Sequence, residues 1–175
     1  MMVTLRPAVA DDLPAVGDLH QRSRAAAYRE IVPADALASV SGDMMADYWR
    51  ERWSFERDSH LLTVAERAGR LIGFTYLGPH DPRGPGSAGF GIGELYAIHL
   101  DPAEQGRGVG RALMVDALAK LSARGWPRAV LWVLADNVRA REFYARGGWR
   151  PDGGERQGEI GPASTLQLRY VRDLP

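Results

Sequence analysis

The sequence predicts a single α/β (α+β) domain over residues 1–175, built on a mixed, mostly antiparallel sheet with helices on both faces. Three observations support this fold class. The chain has 175 residues, of which 45% are hydrophobic, which suits one buried core and is short for two domains. Apolar segments at 61–66 and 70–77 flank Ala68-Gly69 and predict a hairpin. Strand and helix patterns alternate only in the second half, so the sheet is not uniformly parallel.

The first half is predicted to combine a short strand, helical segments and the hairpin. After a strand at 3–6, Asp11-Asp12 offer carboxylates that can cap a helix reaching about Tyr28. The other elements of this half are helices at 33–40 and 43–53, the hairpin strands, and an irregular segment at 78–93 that is rich in Gly and Pro.

The second half is predicted to alternate strands and helices. Val130–Leu134 has no polar interruption, which is typical of a strand buried on both faces. Gly125 is a stop signal for the helix before it. The predicted elements, in order, are a strand at 94–100, a helix at 108–124, a strand at 130–134, a helix from Asn137 to Gly147-Gly148, and strands at 149–150 and 165–171.

Composition excludes several classes of function. The 22 basic and 22 acidic side chains balance, so no overall positive field attracts nucleic acid or a membrane surface. Without cysteine there is no disulfide, thiolate nucleophile or thiolate metal ligand, and the four histidines show no zinc-binding spacing, so no metal site is predicted. No apolar run is long enough to span a bilayer, and the N-terminus lacks the apolar core of a signal peptide. We therefore expect a cytoplasmic protein.

The segment Gln105–Arg111 is the strongest candidate for an anion-binding loop. It follows a strand and opens a helix, where main-chain N–H groups are unpaired and the helix dipole favours negative charge. Arg107 and Arg111 add cationic donors. The alternative from the glycines alone is an ordinary turn with its arginines in solvent. The pattern Gly84–Gly89 also spells GxGxxG, but it contains a proline and leads into a strand, so we do not interpret it as a nucleotide loop.

Several spaced motifs resemble the GNAT-type N-acetyltransferase superfamily. Gln105–Gly110 fits its Q/R-x-x-G-x-G/A motif, and the fit extends upstream over Glu94–Pro102. Downstream, Leu131–Leu134 is followed by a match to the pattern N-x-x-A-x-x-F-Y-x-x-x-G-F, with Trp149 where Phe is usual. The clear match covers about 90–150. The positions that match this downstream pattern are Asn137, Ala140, Phe143, Tyr144, Gly148 and Trp149.

The resemblance implies an acyl-CoA N-acyltransferase fold, with the sheet splayed at the cofactor strand, and acetyl-CoA as co-substrate. The pyrophosphate would lie on the glycine loop, and the pantetheine arm would pair with the main chain of Ile98–Leu100. Asn137 would contact that arm, although capping a helix is its plain interpretation and both can hold. The cofactor-binding residues implied are Ile98, His99, Leu100, Gln105, Gly106, Arg107, Gly108, Val109, Gly110, Arg111, Asn137 and Phe143.

The resemblance also implies transfer of an acetyl group to a primary amine in a ternary complex. No cysteine and no Gly-x-Ser-x-Gly elbow is present for a covalent intermediate. Tyr144 matches the general acid, or alternatively packs against the cofactor arm. Glu94 is the candidate base, or alternatively a solvated strand end. His99 ranks below Glu94, because strand alternation places it on the opposite face. The oxyanion donor would be the Leu100 N–H.

The acceptor site is expected among the N-terminal helices and the segment 78–93. The candidate wall residues are Tyr28, Ile31, Trp49 and Trp53, although aromatic residues at helical spacing are more often core. A small-molecule amine or a peptide would fit, and the sequence is compatible with a homodimer. Two alternatives remain open: a non-catalytic acyl-CoA-binding regulatory module, and transfer of a larger acyl group.

Overall fold

The computed structural model describes residues 2–80 and 91–175. The strands are β1 (Thr4–Pro7), β2 (Leu61–Arg67), β3 (Arg70–Pro79), β4 (Gly93–Leu100), β5 (Arg128–Leu134), β6 (Arg150–Ile160) and β7 (Ala163–Asp173). The helices are α1 (Leu13–Ala27), α2 (Ala34–Ala38), α3 (Gly42–Glu56), α4 (Val109–Ala123) and α5 (Val138–Arg146). No helix among the described residues is long and apolar enough to cross a membrane.

The described strands form one sheet in the order β1-β2-β3-β4-β5-β7-β6, which confirms the predicted mixed sheet. The pair β4–β5 is parallel, and the other neighbouring pairs of this sheet are antiparallel. Parallel neighbours need a crossover connection, and α4 supplies it between β4 and β5.

Helices cover both faces of the sheet, as predicted. On one face, α1 and α3 pack Leu19 and Trp49 against Phe74 of β3. On the other, α4 and α5 pack Met114 and Tyr144 against a cluster that includes Leu131 of β5. Successive side chains of each strand therefore point to opposite faces of the sheet. The core accordingly forms two layers, one on each face.

Strands β4 and β5 separate soon after they meet. They pair only at Gly93 with Ala129 and at Glu94 with Val130. Beyond Glu94, β4 keeps its pairing with β3 on one side, while its other edge faces a gap. The sheet is therefore splayed at this strand, as the sequence analysis expected.

A β-bulge in β4 corrects the predicted facing of His99. Tyr76 pairs with Ala97 and Leu77 pairs with Leu95, so Tyr96 is left without a partner position on β3. This extra residue reverses the alternation beyond it. The prediction that His99 faces away from Glu94 is therefore wrong: both lie on the α1/α3 face.

The strand limits differ from the sequence expectation at two places. β3 extends to Pro79 and β4 begins at Gly93, so the ends of the segment predicted to be irregular are paired. Residues 81–90, which contain the Gly84–Gly89 pattern, lie outside the described residues. β6 was predicted as only two residues but runs over Arg150–Ile160, because its mostly polar, Gly-containing sequence lacks the apolar signal of a buried strand.

Asp101 anchors the end of β4 to its surroundings. The residue is 3% exposed, and its side chain accepts a hydrogen bond from the Ala103 N–H at 2.9 Å and forms ion pairs with Arg22 at 3.1 Å and with Arg70. Burial alone would raise the pKa of this carboxyl, but the Ala103 N–H and the Arg22 guanidinium hold that pKa below its usual range. The ionised carboxylate therefore stabilises the fold.

We expect Asp101→Asn to lower the free energy of unfolding by about 2 kcal/mol at pH 7, the scale of a hydrogen bond to a charged group. Because the pKa is lowered in the folded state, this stabilisation is present above the unfolded pKa and is lost as the pH falls through the folded pKa. Urea unfolding at pH 7 and pH 3 should show the difference between the variants narrowing in acid. Asp173→Asn, which breaks an exposed ion pair with Arg150, is the control and should cost much less. If Asp101→Asn lowered the free energy of unfolding equally at both pH values, the ionised Asp101 carboxylate would not be the stabilising group.

Candidate active site

The glycine loop adopts a conformation that requires its glycines. Gly106 and Gly108 have φ values of +76° and +81°, in the left-handed region that side chains with a Cβ rarely occupy. A Cβ at either position would meet open space, so the surface above the loop is accessible. Gly108 is the N-cap residue of α4 and offers no capping side chain.

The loop presents unpaired main-chain donors. Ala112 donates the first helical hydrogen bond, to the Gly108 carbonyl at 3.0 Å. Before it, the N–H groups of residues 106 and 108–111 have no acceptor within the part of the chain that the structure describes. Arg107 and Arg111 are exposed there and have no described carboxylate partner. Free amides, a helix dipole and two cations on one open surface are features that can bind a phosphate group.

A buried ion pair and side-chain packing hold this loop in place. Glu104 is buried directly before it and pairs with Arg67 of β2. At the helix end, a Cβ on Gly110 would lie 3.1 Å from the Leu100 side chain and 3.5 Å from Phe143. The loop is therefore fixed against the end of β4 and against α5, at the open end of the gap between β4 and β5.

The main chain of β4 faces this gap at alternate residues. The Asp101 N–H donates to Ile72 of β3 at 2.9 Å, so Asp101 and His99 direct their main-chain groups towards β3. Ile98 and Leu100 direct theirs towards the gap. Of the three residues predicted to pair with the cofactor arm, His99 does not present its main chain to that arm.

The His99 imidazole lies in the core beside α1. Its Nδ1 is 3.1 Å from the Ser23 hydroxyl, and its ring centre is 4.1 Å from that of His20. Burial, together with Arg24, lowers the pKa of His99 to about 4. The ring is therefore neutral at pH 7 and is a weak base, which agrees with its low rank as a catalytic candidate.

Tyr144 is positioned by α5 at the other side of the gap. Its ring packs against Phe143 and Tyr170, at centroid distances of 5.6 and 6.4 Å. Burial raises the pKa of its phenol well above 10, with a smaller contribution from Tyr28. Its hydroxyl has no hydrogen-bond partner among residues 2–80 and 91–175, so the proton is available to a ligand.

Asn137 caps this helix by accepting from the Ala140 N–H at 3.2 Å, which confirms the capping prediction.

Glu94 is a buried carboxylate and not a solvated strand end. Its residue is 6% exposed, and its Oε2 lies 2.8 Å from His80 Nδ1. Burial raises the pKa of Glu94, while the hydrogen bond from His80 opposes that rise. A carboxylate with a raised pKa, whose one hydrogen-bond partner among the described residues is His80, is suited to accepting a proton.

Glu94 faces a cleft of about 980 Å³ on the α3 side of the sheet. The cleft is lined by aromatic and charged residues from α3, β4, β5 and the β6–β7 hairpin, namely Tyr48, Glu51, Arg52, Phe55, Glu56, His60, Pro79, His80, Glu94, Tyr96, Trp132, Arg156 and Arg169. One of its walls is fixed by Arg52, which lies 4.6 Å from the ring centres of both Tyr76 and Tyr96 and pairs with Glu56 at 2.6 Å.

The predicted acceptor residues do not line this cleft. Trp49 is 2% exposed, donates from Nε1 to His20 at 3.0 Å, and packs against Phe74 at 5.4 Å, so it belongs to the core and its assignment to the acceptor wall is wrong. Trp53 also packs on that core. Tyr28 and Ile31 belong to another cluster, with Leu134 and Ile160.

Sequence reasoning missed His80, Trp132 and Arg156. His80 contacts Glu94 because β3 and β4 pair Gly78 with Glu94, a register that the sequence does not display. Arg156 belongs to the unrecognised part of β6. Trp132 belongs to a strand whose apolar sequence predicts burial on both faces, so the sequence does not indicate that its ring is only half-buried.

Comparison with known proteins identifies the family. The profile of the acetyltransferase (GNAT) family matches residues 25–149. An uncharacterised N-acetyltransferase of Bacillus subtilis, YuaI, is 31% identical over 136 residues, which cover 78% of this chain and 74% of that one. The mycothiol acetyltransferase of Amycolatopsis mediterranei is 38% identical over 107 residues, or 61% of this chain and 34% of that protein. This chain thus spans about a third of the mycothiol acetyltransferases that it matches.

Solved structures share the fold. The PaiA N-acetyltransferase of Thermoplasma acidophilum, solved with coenzyme A, has a TM-score of 0.79 at 17% identity, over 99% of each chain. YncA of Salmonella typhimurium, solved with acetyl-CoA, has a TM-score of 0.70 at 16% identity, over 100% of this chain and 95% of that one. With the profile match over most of its length, the chain belongs to the GNAT family of acetyltransferases.

Proposed function

We propose that this protein transfers the acetyl group of acetyl-CoA directly to a primary amine, with both substrates bound at once. The observation that carries the proposal is the gap between β4 and β5. It begins at the unpaired amides of the glycine loop, passes the free main chain of Leu100 and Ile98, and meets the buried carboxylate of Glu94 near the other end of β4. Those ends are six residues, or about 20 Å, apart, which suits an extended thioester arm.

The residues present fit acetyl-CoA. The amides of 106 and 108–111 would hold the pyrophosphate, with Arg107 and Arg111 beside it. The main chain of Ile98 and Leu100 would pair with the arm as an added strand does. Phe143 and Asn137 would line the opposite side.

The reaction forms an N–C bond and breaks the C–S bond of the thioester. Glu94 takes a proton from the amine, directly or through water, so that the nitrogen lone pair is free to attack. The Leu100 N–H, directed into the gap, stabilises the negative charge that develops on the thioester oxygen. The sulfur leaves as a thiolate, to which the Tyr144 hydroxyl donates a hydrogen bond.

The pKa values of the leaving thiol and of the Tyr144 phenol do not favour proton transfer from Tyr144 to sulfur. A thiol near 8.5 is a stronger acid than a phenol near 10, and burial raises the pKa of Tyr144 further. Full proton transfer is therefore uphill, and the main contribution of this hydroxyl is a hydrogen bond to the departing sulfur. We propose a correspondingly modest role for Tyr144.

Tyr144→Phe is expected to lower kcat by about 10²-fold, the low end for general acid catalysis, and to leave acetyl-CoA affinity unchanged. The measurement is release of free thiol from acetyl-CoA over a panel of amines, with affinity measured by calorimetry. A regulatory module that only binds acyl-CoA would show no turnover in the wild type. Wild-type turnover that is insensitive to this substitution would remove Tyr144 from the chemistry while leaving the transfer itself established.

A further inference from the structure

We propose that the acceptor carries an anionic group, a carboxylate or a phosphate, which Arg156 binds on the face of Trp132 while the acceptor amine faces Glu94. This inference rests on the proposed function and defines the substrate class of the same site.

The sheet register places these groups on one surface. Glu94 pairs with Val130, and Trp132 follows two residues later on the same face of β5. Trp132 pairs with Arg169 of β7. Arg156 pairs with Gln167, two residues before Arg169, so its side chain also lies on this face. Trp132, Arg156 and Arg169 line the same cleft as Glu94.

Arg156 differs from the other arginines of the cleft in its charge partners. Arg52 pairs with Glu56 at 2.6 Å and Arg169 pairs with Asp152 at 2.8 Å. Arg156 instead donates its Nε to the neutral amide oxygen of Gln167 at 2.6 Å, and no described carboxylate lies within ion-pair distance of it. Among the described residues its guanidinium therefore has no ion-pair partner, and Glu94 acts on it only at longer range.

The Arg156 guanidinium is also held in a fixed orientation. Its central carbon lies 4.2 Å from the Trp132 ring centre, and the hydrogen bond to Gln167 occupies Nε. The two terminal amino groups remain for a ligand, and their planar geometry matches a carboxylate or phosphate. Partial burial of the guanidinium lowers the pKa of Arg156, and the negative charge of Glu94 opposes that change.

Negative side chains line the other part of the cleft. Glu94 lies beside His80, and Glu51 of α3 is exposed at the cleft without an ion-pair partner among the described residues. These carboxylates attract an ammonium group, and Arg156 attracts an anion. Such a charge distribution suits an amine that carries its own anionic group, such as an amino acid or an aminoalkyl phosphate. A second ammonium group, as in a diamine, would meet Arg156 with like charge.

The test uses matched acceptors and the full chain. Free thiol is measured with the L-amino acids and their amides, and with O-phosphoethanolamine and ethanolamine; the two sets separate carboxylate from phosphate. We expect at least one anionic member to exceed its neutral partner in kcat/KM by about tenfold or more. Arg156→Gln should raise KM for that acceptor by about 10–100-fold, the scale of a charged hydrogen bond, and affect the neutral partner much less. Arg150→Gln, outside the cleft, is the control.

Two outcomes would overturn the inference while leaving the proposed function intact. One is wild-type turnover that favours neutral or dicationic amines. The other is an equal effect of Arg156→Gln on both members of a pair. Absence of turnover with every amine would instead contradict the proposed function itself.

Discussion

Gly108→Glu is expected to weaken the binding of coenzyme A by at least about 100-fold. The substitution places a carboxylate where the free amides and the α4 dipole favour a phosphate, so like charges meet and several charged hydrogen bonds are lost, each worth about 1.5–3 kcal/mol. Space is available for the side chain, because a Cβ at Gly108 meets nothing within 4 Å. Isothermal titration calorimetry with coenzyme A measures the effect without any acceptor.

Gly125→Glu is the matched control for this substitution. Gly125 follows the same helix at its other end, has φ of +78°, and is equally open to a Cβ. Both variants therefore carry the same left-handed strain, about 1–2 kcal/mol of stability, but only one alters the anion site. An equal loss of affinity in the two variants would mean that the loss came from general destabilisation and would contradict the placement of the pyrophosphate.

Glu94→Gln is expected to lower kcat by about 10³-fold while leaving coenzyme A affinity unchanged. The amide keeps the shape of the side chain but takes no proton, so the amine is no longer activated. In the wild type, kcat/KM should fall as the pH falls through the pKa of Glu94. Burial raises this pKa, so the acidic limb of the pH profile should lie above the usual carboxyl value of about 4.3. The measurement is the pH profile of both enzymes.

Glu142→Gln on the exposed surface of α5 provides the control, with kcat expected to match the wild type. In Glu94→Gln the remaining activity should lack the acidic limb, because the group that titrates has been removed. A limb that persists unchanged in this variant would assign the titration to a different group, and unchanged kcat would exclude Glu94 as the base.

The parts of the site that depend on main-chain chemistry could be predicted from the sequence. Glycines at 106 and 108 mark left-handed positions, and a helix start after a strand marks unpaired amides, so the conformation of the loop could be predicted from local signals, while its role as a phosphate site came from the resemblance of the motifs. Asn137 was likewise identified as a cap because a capping amide acts within three residues of chain.

The parts that depend on register could not be predicted. The bulge at Tyr96 leaves no mark in the sequence, yet it moves His99 onto the face of Glu94. Trp49 and Trp132 have the same side chain, but one is enclosed by the α1–α3 core and the other supports an arginine in the cleft. Which of them meets a ligand is decided by neighbours that are distant in sequence.

The central claim is that the amides following residue 105 bind the diphosphate of acetyl-CoA and that its arm lies between β4 and β5. Titration of the ¹⁵N-labelled protein with acetyl-CoA, followed by amide NMR, tests it most directly. The account predicts large shifts at Gly106, Gly108 and Gly110, with accompanying shifts at Ile98 and Leu100. Binding that leaves these amides unchanged and shifts a different surface would contradict it.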